Sequence, residues 1–251
     1  MYNRSAKKES SLVVGRQPVL EALREGTTLE RIYMQNNAAG DAVPEIRRLA
    51  QQLQVPVNVV PLEKLNSLSR SNHQGVIALS SPMRYSDLEQ TISGVMSSGT
   101  APLFVLLDGV TDVRNIGAIA RTAVCCGAQA IIIPDKGVGA LNEDAIKASA
   151  GALLRIAVCR VPSLLKAIDT MHLHGISVFA SEMKGDEKVQ DLDLSGPACI
   201  VLGSEDRGIQ AYIAKAADHR FRIPMTGDFD SLNVSVSAGI ILFEANKQRG
   251  K

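Results

Sequence analysis

Apolar and polar positions alternate along this chain in two rhythms, a helical one and a strand-like one, and the rhythms take turns. After a polar start, Val13-Val14-Gly15 leads into Arg16–Leu23. There Pro18 suits the first helical turn and apolar residues 19, 20 and 23 share a face. Leu29–Met34 reads as a strand. Val43–Leu53 reads as a helix with Ile46, Leu49 and Leu53 inward, and Val55–Val60 as a β-branched strand. Leu62–Leu68 reads as a short helix and Gly75–Leu79 as a strand, so the first part of the chain is a small α/β unit. From Pro102 the alternation resumes with stronger strands. Leu103–Leu107 is a continuous apolar run of the kind a parallel sheet buries on both faces. Further strands are expected at Ala130–Ile133, Ile156–Val161, Ser177–Ala180, Ala198–Leu202 and Phe221–Ile223. Helices are expected at Ile116–Cys126, Glu143–Leu153, Ser163–His172, Ile209–Lys215 and Val234–Lys247. The fold class is α/β throughout, with a mostly parallel sheet in the larger part.

Composition sharpens the division. The 251 residues are 45% hydrophobic and 21% charged, enough apolar matter for a substantial core and too little charge excess for a disordered chain. The net charge is +1, but residues 1–84 hold 11 Lys+Arg against 7 Asp+Glu, and residues 85–251 hold 16 against 19. The first part therefore carries +4 and the second −3, and the two are expected to meet different things. Residues 1–11 read as a flexible tail, 12–82 as the first domain, 83–101 as a linker with a short helix near 86–95, and 102–251 as the second domain.

Several function classes drop out. Cys125, Cys126, Cys159 and Cys199 lie in or beside apolar stretches and form no C-x-x-C. They read as small buried hydrophobes in a reducing compartment. The four histidines have no carboxylate or thiol at ligand spacing, so no metal is expected. No apolar run approaches the roughly 18–20 residues that span a bilayer, and the polar start lacks the apolar core of a signal peptide. A cytoplasmic protein without a membrane partner is the expectation.

Three segments resist a purely structural reading. Each is a polar, glycine-containing turn at the C-terminal end of a buried strand, where open α/β sheets bind ligands. The first runs from Asp108 through Asp112, Asn115 and Gly117 to Arg121. A helix puts Gly117 and Arg121 on one face, and the missing side chain at 117 is read as room beside the arginine. Capping by Asp112 or Asn115 beside a surface arginine is the plainer alternative. The second is Gly203-Ser204-Glu205-Asp206-Arg207-Gly208. Its glycines have Walker A spacing, but Ile209-Gln210 replaces the Lys-Ser/Thr that holds phosphate and magnesium. The third is Ile223-Pro224-Met225-Thr226-Gly227, followed by Ser231-Leu232-Asn233-Val234-Ser235. Its small polar groups exceed what one helix cap needs, and with the short apolar strand they suit a nucleoside.

Taken in order, these segments resemble the three motifs of the SpoU (TrmH-like) family of RNA ribose 2′-O-methyltransferases, in the SPOUT superfamily. The matching positions are Asp112, Asn115, Gly117, Arg121 and Ala123; then Val201-Leu202-Gly203-Ser204-Glu205 and Gly208; then Ile223-Pro224-Met225, Gly227 and Ser231-Leu232-Asn233-Val234-Ser235. The first part is similar to the family's RNA substrate-binding domain, of the ribosomal protein L30e fold. Gly15–Ala22 and Asn72-His73-Gln74-Gly75 match its ends. Two positions depart from the pattern: Val113 stands where proline is usual, and Asp206 where glycine is usual.

The resemblance implies a second domain tied in a deep trefoil knot, which binds S-adenosylmethionine as methyl donor and uses no metal. It implies contacts to that donor from Leu202, Gly203, Ile223, Met225 and Leu232. It implies a homodimer whose active site draws on both subunits. Arg121, Asn115, Glu205, Ser231 and Asn233 would form the catalytic set. The family's proposal makes the arginine the base, but a guanidinium stays protonated. The expectation is that Arg121 stabilises the developing alkoxide and Asn115 positions Arg121 or the ribose. Glu205, Ser231 and Asn233 would orient the arginine and hold the loops. A full first domain resembles the branch that methylates a guanosine of 23S rRNA. The partner is RNA rather than DNA, and few aromatics favour grip by shape and phosphate. The same chemistry on tRNA or another rRNA site, or a non-catalytic ribosome-assembly factor, are the rival readings. A dehydrogenase lacks its glycine fingerprint.

Overall fold

Leu103–Asp108 (β5) is buried at every position, as a run of apolar residues flanked on both faces by helices must be. It is the third strand of a seven-stranded sheet in the computed structural model, which describes residues 12–80, 83–138, 141–227 and 231–250. The expected tail at 1–11 lies outside the described residues. The chain divides into two compact units, residues 1–84 and 85–251, so the opposite charge excesses of the sequence fall on different units.

The first unit has a four-stranded sheet in the order β1-β4-β2-β3, from Leu12–Val14 (β1), Leu29–Gln35 (β2), Val57–Val60 (β3) and Val76–Ser80 (β4). β4 runs antiparallel to β1 and β2, and β2 parallel to β3. Helices Arg16–Arg24 (α1), Ala42–Gln52 (α2) and Leu62–Leu68 (α3) complete it. Val19, Leu20 and Leu23 of α1 and Ile46 of α2 enter one core with Ile32, Met34 and Val76. Leu53, expected to face inward, is instead 47% exposed: it lies just past the last residue of α2, at the helix's C-terminal cap.

The second unit starts earlier than its strong strands. The stretch 83–101, read from its Ser and Gly content as a linker, holds helix Leu88–Ser97 (α4), with Leu88 and Ile92 in the core beside Phe104 and Cys159. Asp87 caps this helix by accepting from the Gln90 N–H at 2.9 Å. Then come Val113–Cys125 (α5), Ala130–Pro134 (β6), Glu143–Ala148 (α6), Ala157–Val161 (β7), Leu164–Leu173 (α7) and Ser177–Ser181 (β8). The two-residue strand Glu187–Lys188 (β9), Ala198–Gly203 (β10), Ala211–Ala216 (α8), His219–Arg222 (β11) and Val234–Gln248 (α9) finish it. Strand order is β7-β6-β5-β10-β8-β11-β9 and every pairing is parallel.

Local chemistry moves some boundaries. α5 begins three residues before the apolar pattern does, because Asp112 accepts from the Arg114 N–H at 2.8 Å. Val113 takes the first helical position, where proline's preset φ fits equally well. The expected helix over 143–153 stops at Ala148. Ala150 and Gly151 have φ of 50° and 84°, and a 3-10 turn at Ala152–Leu154 follows.

The order of strands sets the place for chemistry. From β5 the chain steps outward through β6 and β7, then returns on the far side, and β10 inserts beside β5 with Gly203 opposite Asp108. Such a reversal opens a crevice at the C-terminal strand ends. α9 is fixed at its far end by Arg249, whose guanidinium donates to the carbonyls of Leu194, Ala101, Pro102 and Gly196 at the start of β5 and β10. Its first turn is thereby aimed at the strand ends.

Candidate active site

Three chain segments converge at the C-terminal ends of β5 and β10, and each is shaped by a local requirement. After β5, Gly109 turns with φ 71° and leaves the chain close to Ser204. Asp112 then starts α5. Its carboxylate also receives the Arg114 guanidinium at 2.7 Å, and that hydrogen bond holds its carboxyl below the ordinary carboxylate range.

After β10, the loop closes on itself. The Ser204 N–H donates to the Gly208 carbonyl at 3.2 Å, and the Gly208 N–H returns to the Ser204 carbonyl at 2.9 Å. A side chain at Gly203 would lie 2.1 Å from the backbone of Gly208, so only glycine permits this fold-back. Asp206, in the position where glycine is usual in the family pattern, is not among the left-handed residues; the positive φ in this loop is at Gly208, 66°.

The third segment ends at Asn233, which caps α9 by accepting from the Ser235 N–H at 2.9 Å. The cap's amide nitrogen is left to point back at the other two segments.

There Asn115, Glu205 and Asn233 meet. The Glu205 Oε1 accepts from Asn115 Nδ2 at 3.1 Å, from Asn233 Nδ2, and from the Val234 N–H at 3.4 Å. Asn233 Nδ2 also donates to Asn115 Oδ1 at 3.3 Å. Residues 115, 205 and 233 thus form one polar knot of side chains, with each motif contributing one member.

This network lies between two cavities. The first, of about 390 Å³, is lined by Leu202, Gly203, Ile223, Met225 and Leu232, all five residues expected to hold a methyl donor, and by Ser231. Ile209 and Val234 add apolar wall, while Ser181, Glu182 and Lys184 at the end of β8 add polar groups. Sequence reading missed those β8 residues, and the only mark they carry is their place after a buried parallel strand. An apolar slot with polar ends fits a purine nucleoside bearing an amino-acid tail, and the volume is that of a small-molecule site. The second cavity, of about 590 Å³, is lined by Asp108, Gly109, Val110, Thr111, Asp112 and Asn115. Ser204–Gly208 and Val234 form the wall common to both.

Arg121 is not part of this assembly. It is exposed on α5, lines neither cavity and has no hydrogen bond or ion pair among the described residues. Nor does Gly117 make room for it: a Cβ there would lie 2.8 Å from both the Ala145 carbonyl oxygen and the Ala148 Cβ of α6. Two cysteine readings also change. Cys159 and Cys199 are buried, but Cys125 is exposed and Cys126 half-buried, because α5 ends at the surface there. Among the described residues no group of three His, Cys, Asp or Glu side chains could hold a metal, and no helix is long and apolar enough to cross a membrane.

Comparison with known proteins follows the two units. Residues 102–243 match the model of the SpoU rRNA Methylase family, and residues 12–86 that of RNA 2′-O ribose methyltransferase substrate binding. A Staphylococcus haemolyticus protein named for the TrmH family of tRNA/rRNA methyltransferases is 35% identical over 241 residues, 96% of this chain and 97% of its own. An AdoMet-bound rRNA methyltransferase from Sinorhizobium meliloti superposes with a TM-score of 0.60 at 25% identity, over 98% of this chain and 90% of that one. An RNA 2′-O ribose methyltransferase does so with a TM-score of 0.57 at 27% identity, over 99% and 93%.

Proposed function

This chain belongs to the SpoU rRNA methylase family and is an S-adenosylmethionine-dependent RNA methyltransferase, and from that premise we propose that its acceptor is the ribose 2′-hydroxyl of a guanosine in 23S rRNA. The observation that supports methyl transfer is the Asn115–Glu205–Asn233 network standing between two cavities, one of them lined by every residue expected to hold the donor. The choice of rRNA rests on the full N-terminal unit that matches the substrate-binding model.

S-adenosylmethionine, when bound, supplies a methyl group made electrophilic by its sulfonium. The chain's own residues do the rest. Leu202, Ile223 and Leu232 offer apolar surface to the adenine, and Met225 covers it. The closed loop 203–208 and residues Ile223, Met225, Ser231 and Leu232 wall the same cavity, which suits the two crossing segments of a trefoil knot. Asn115 and Asn233 hold Glu205, and Ser231 stands at the cavity wall. Arg121 stabilises the developing negative charge on the acceptor oxygen.

For that role Arg121 must reach an active site other than the one in its own chain's network. α9 packs against α5 and exposes Val236, Ile240 and Phe243, at 50%, 38% and 64%, on one helical face. We propose that this apolar stripe joins two copies as a homodimer and that each copy lends its Arg121 to the other's site. The N-terminal unit, with its +4 excess and its match to a substrate-binding model, grips the RNA through phosphate and shape.

The test is methyl transfer from labelled S-adenosylmethionine to protein-free 23S rRNA and, separately, to bulk tRNA, with the product nucleotide mapped. Label on a 23S guanosine ribose supports the reading, label on tRNA moves the same chemistry to another substrate, and no label in either overturns the assignment to free RNA.

A further inference from the structure

We propose that the second cavity receives the acceptor ribose and that Glu205 is the base that takes the proton from its 2′-hydroxyl. The inference rests on the methyl-transfer reading above and adds to it the group that accepts the proton. Four carboxylates line this cavity: Asp108, Asp112, Glu205 and Asp206. Asp108 is spent, because Oδ1 and Oδ2 receive Gln210 Nε2 at 2.6 Å and the Gln210 N–H at 2.7 Å. Asp112 caps α5 and pairs with Arg114, which makes it a poorer base. Asp206 is exposed, and no hydrogen bond among the described residues fixes its direction. Glu205 differs from all three. Three N–H donors fall on its Oε1, and among the described residues none donates to Oε2. One oxygen fixes the side chain and the other is left for a substrate proton.

The remaining candidates cannot serve. A guanidinium is permanently protonated, and amides and hydroxyls are not bases near neutrality. Glu182 and Lys184 line only the first cavity, and among the described residues neither cavity is lined by a histidine. Glu205 also stands on the wall common to both cavities, so that it borders the place of an oxygen in the second and of a methyl donor in the first. In the step, the 2′-O–H bond breaks and its proton goes to Oε2. The O–CH₃ bond forms as the S–CH₃ bond breaks, and that electron pair stays on sulfur. The protonated carboxyl then loses its proton to water when the products leave.

The test compares the full-length wild type with Glu205→Gln and Thr111→Trp. Glutamine keeps an Oε1 for Asn115, Asn233 and Val234 and removes only the basic oxygen. Single-turnover methylation of RNA by Glu205→Gln is expected to fall by about 10²-fold or more, the scale of general-base catalysis. Its dissociation constant for S-adenosylhomocysteine, measured by calorimetry, stays within about threefold of the wild type. Thr111 lines only the second cavity, so tryptophan there is expected to abolish transfer and leave that constant equally unchanged. A Glu205→Gln rate within about threefold of wild type, a donor affinity that falls with the rate, or an active Thr111→Trp each overturns the proposal. A wild type that binds S-adenosylhomocysteine but labels no free RNA overturns the free-RNA substrate of the reading above, and is told apart by the inactivity of the unsubstituted chain.

Discussion

Asp108 and Gln210 lie 102 residues apart in sequence, and Gln210 alone satisfies both oxygens of the Asp108 carboxylate, which is 1% exposed. The pair clamps the far end of the 203–209 loop to the end of β5, while Asn115 and Glu205 join the same two segments at the mouth of the cavities. The loop that walls both cavities is thus held at two points.

Asp108→Ala removes the inner clamp and leaves the Gln210 groups without their acceptor. A loss of about 1–3 kcal/mol is expected, with weaker donor binding because the loop forms one wall of that cavity. Asp108→Asn is expected to recover most of it, since a flipped Gln210 amide still makes two complementary bonds. Thermal unfolding and calorimetry with S-adenosylhomocysteine on the two variants check this; an alanine variant as tight and as stable as wild type removes the clamp from the account.

Gly117 gives a second, purely steric expectation. A methyl group there would sit 2.8 Å from the Ala145 carbonyl and 3.0 Å from the Ser149 nitrogen, so α6 must shift away from α5. Gly117→Ala is expected to cost about 1–3 kcal/mol in spite of the better helix propensity of alanine. Denaturant unfolding with an unchanged m-value and a lowered midpoint is the supporting result.

How far the sequence carries depends on the range of the interactions. Runs such as Leu103–Leu107 and Ala198–Leu202 announce buried parallel strands because every residue in them is apolar. The break after Ala148 is harder to see, because Ser149, Ala150 and Gly151 leave the helix through backbone angles and not through polarity. The α4 segment looks like a linker because its polar face dominates its composition, yet Leu88 and Ile92 are enough to seat it in the core. At the site, Asn115, Glu205 and Asn233 are each legible as polar groups at strand ends, and their meeting follows from the order of the strands. The Asp108–Gln210 clamp and the β8 wall are not legible, since no local pattern pairs residues across such distances.

The buried thiols make an alkaline prediction. Burial pushes the Cys159 thiol up to about 11, and Cys199, still more enclosed, is pushed up further. Each is neutral in the folded chain and ionises more readily once unfolded. Their contribution is therefore full below the ordinary thiol range of about 8.5 and is lost as pH rises from there towards 11. Unfolding midpoints are expected to fall between pH 8 and pH 10.5, and replacing both cysteines by alanine should flatten that slope. Cys159 and Cys199 should also resist a thiol reagent until denaturant is added.

The last prediction concerns Arg121, which stands apart from the network in its own chain. Arg121→Ala is expected to bind S-adenosylhomocysteine like the wild type and to transfer no methyl. If the arginine serves the partner's site, that defect can be repaired without restoring Arg121 to the chain that lacks it. A mixed dimer of an Arg121→Ala chain and a Glu205→Gln chain has one site with both groups intact: the Glu205 of the first chain and the Arg121 of the second. Two inactive proteins, unfolded and refolded together in equal amounts, should therefore regain about a quarter of wild-type activity, because half the dimers are mixed and each mixed dimer has one good site of two. Sedimentation checks that the mixture is dimeric, and Phe243→Asp should abolish both the dimer and the regained activity. Failure to regain activity in a dimeric mixture would place Arg121 in its own chain's site, and α5 would then have to move to bring it there.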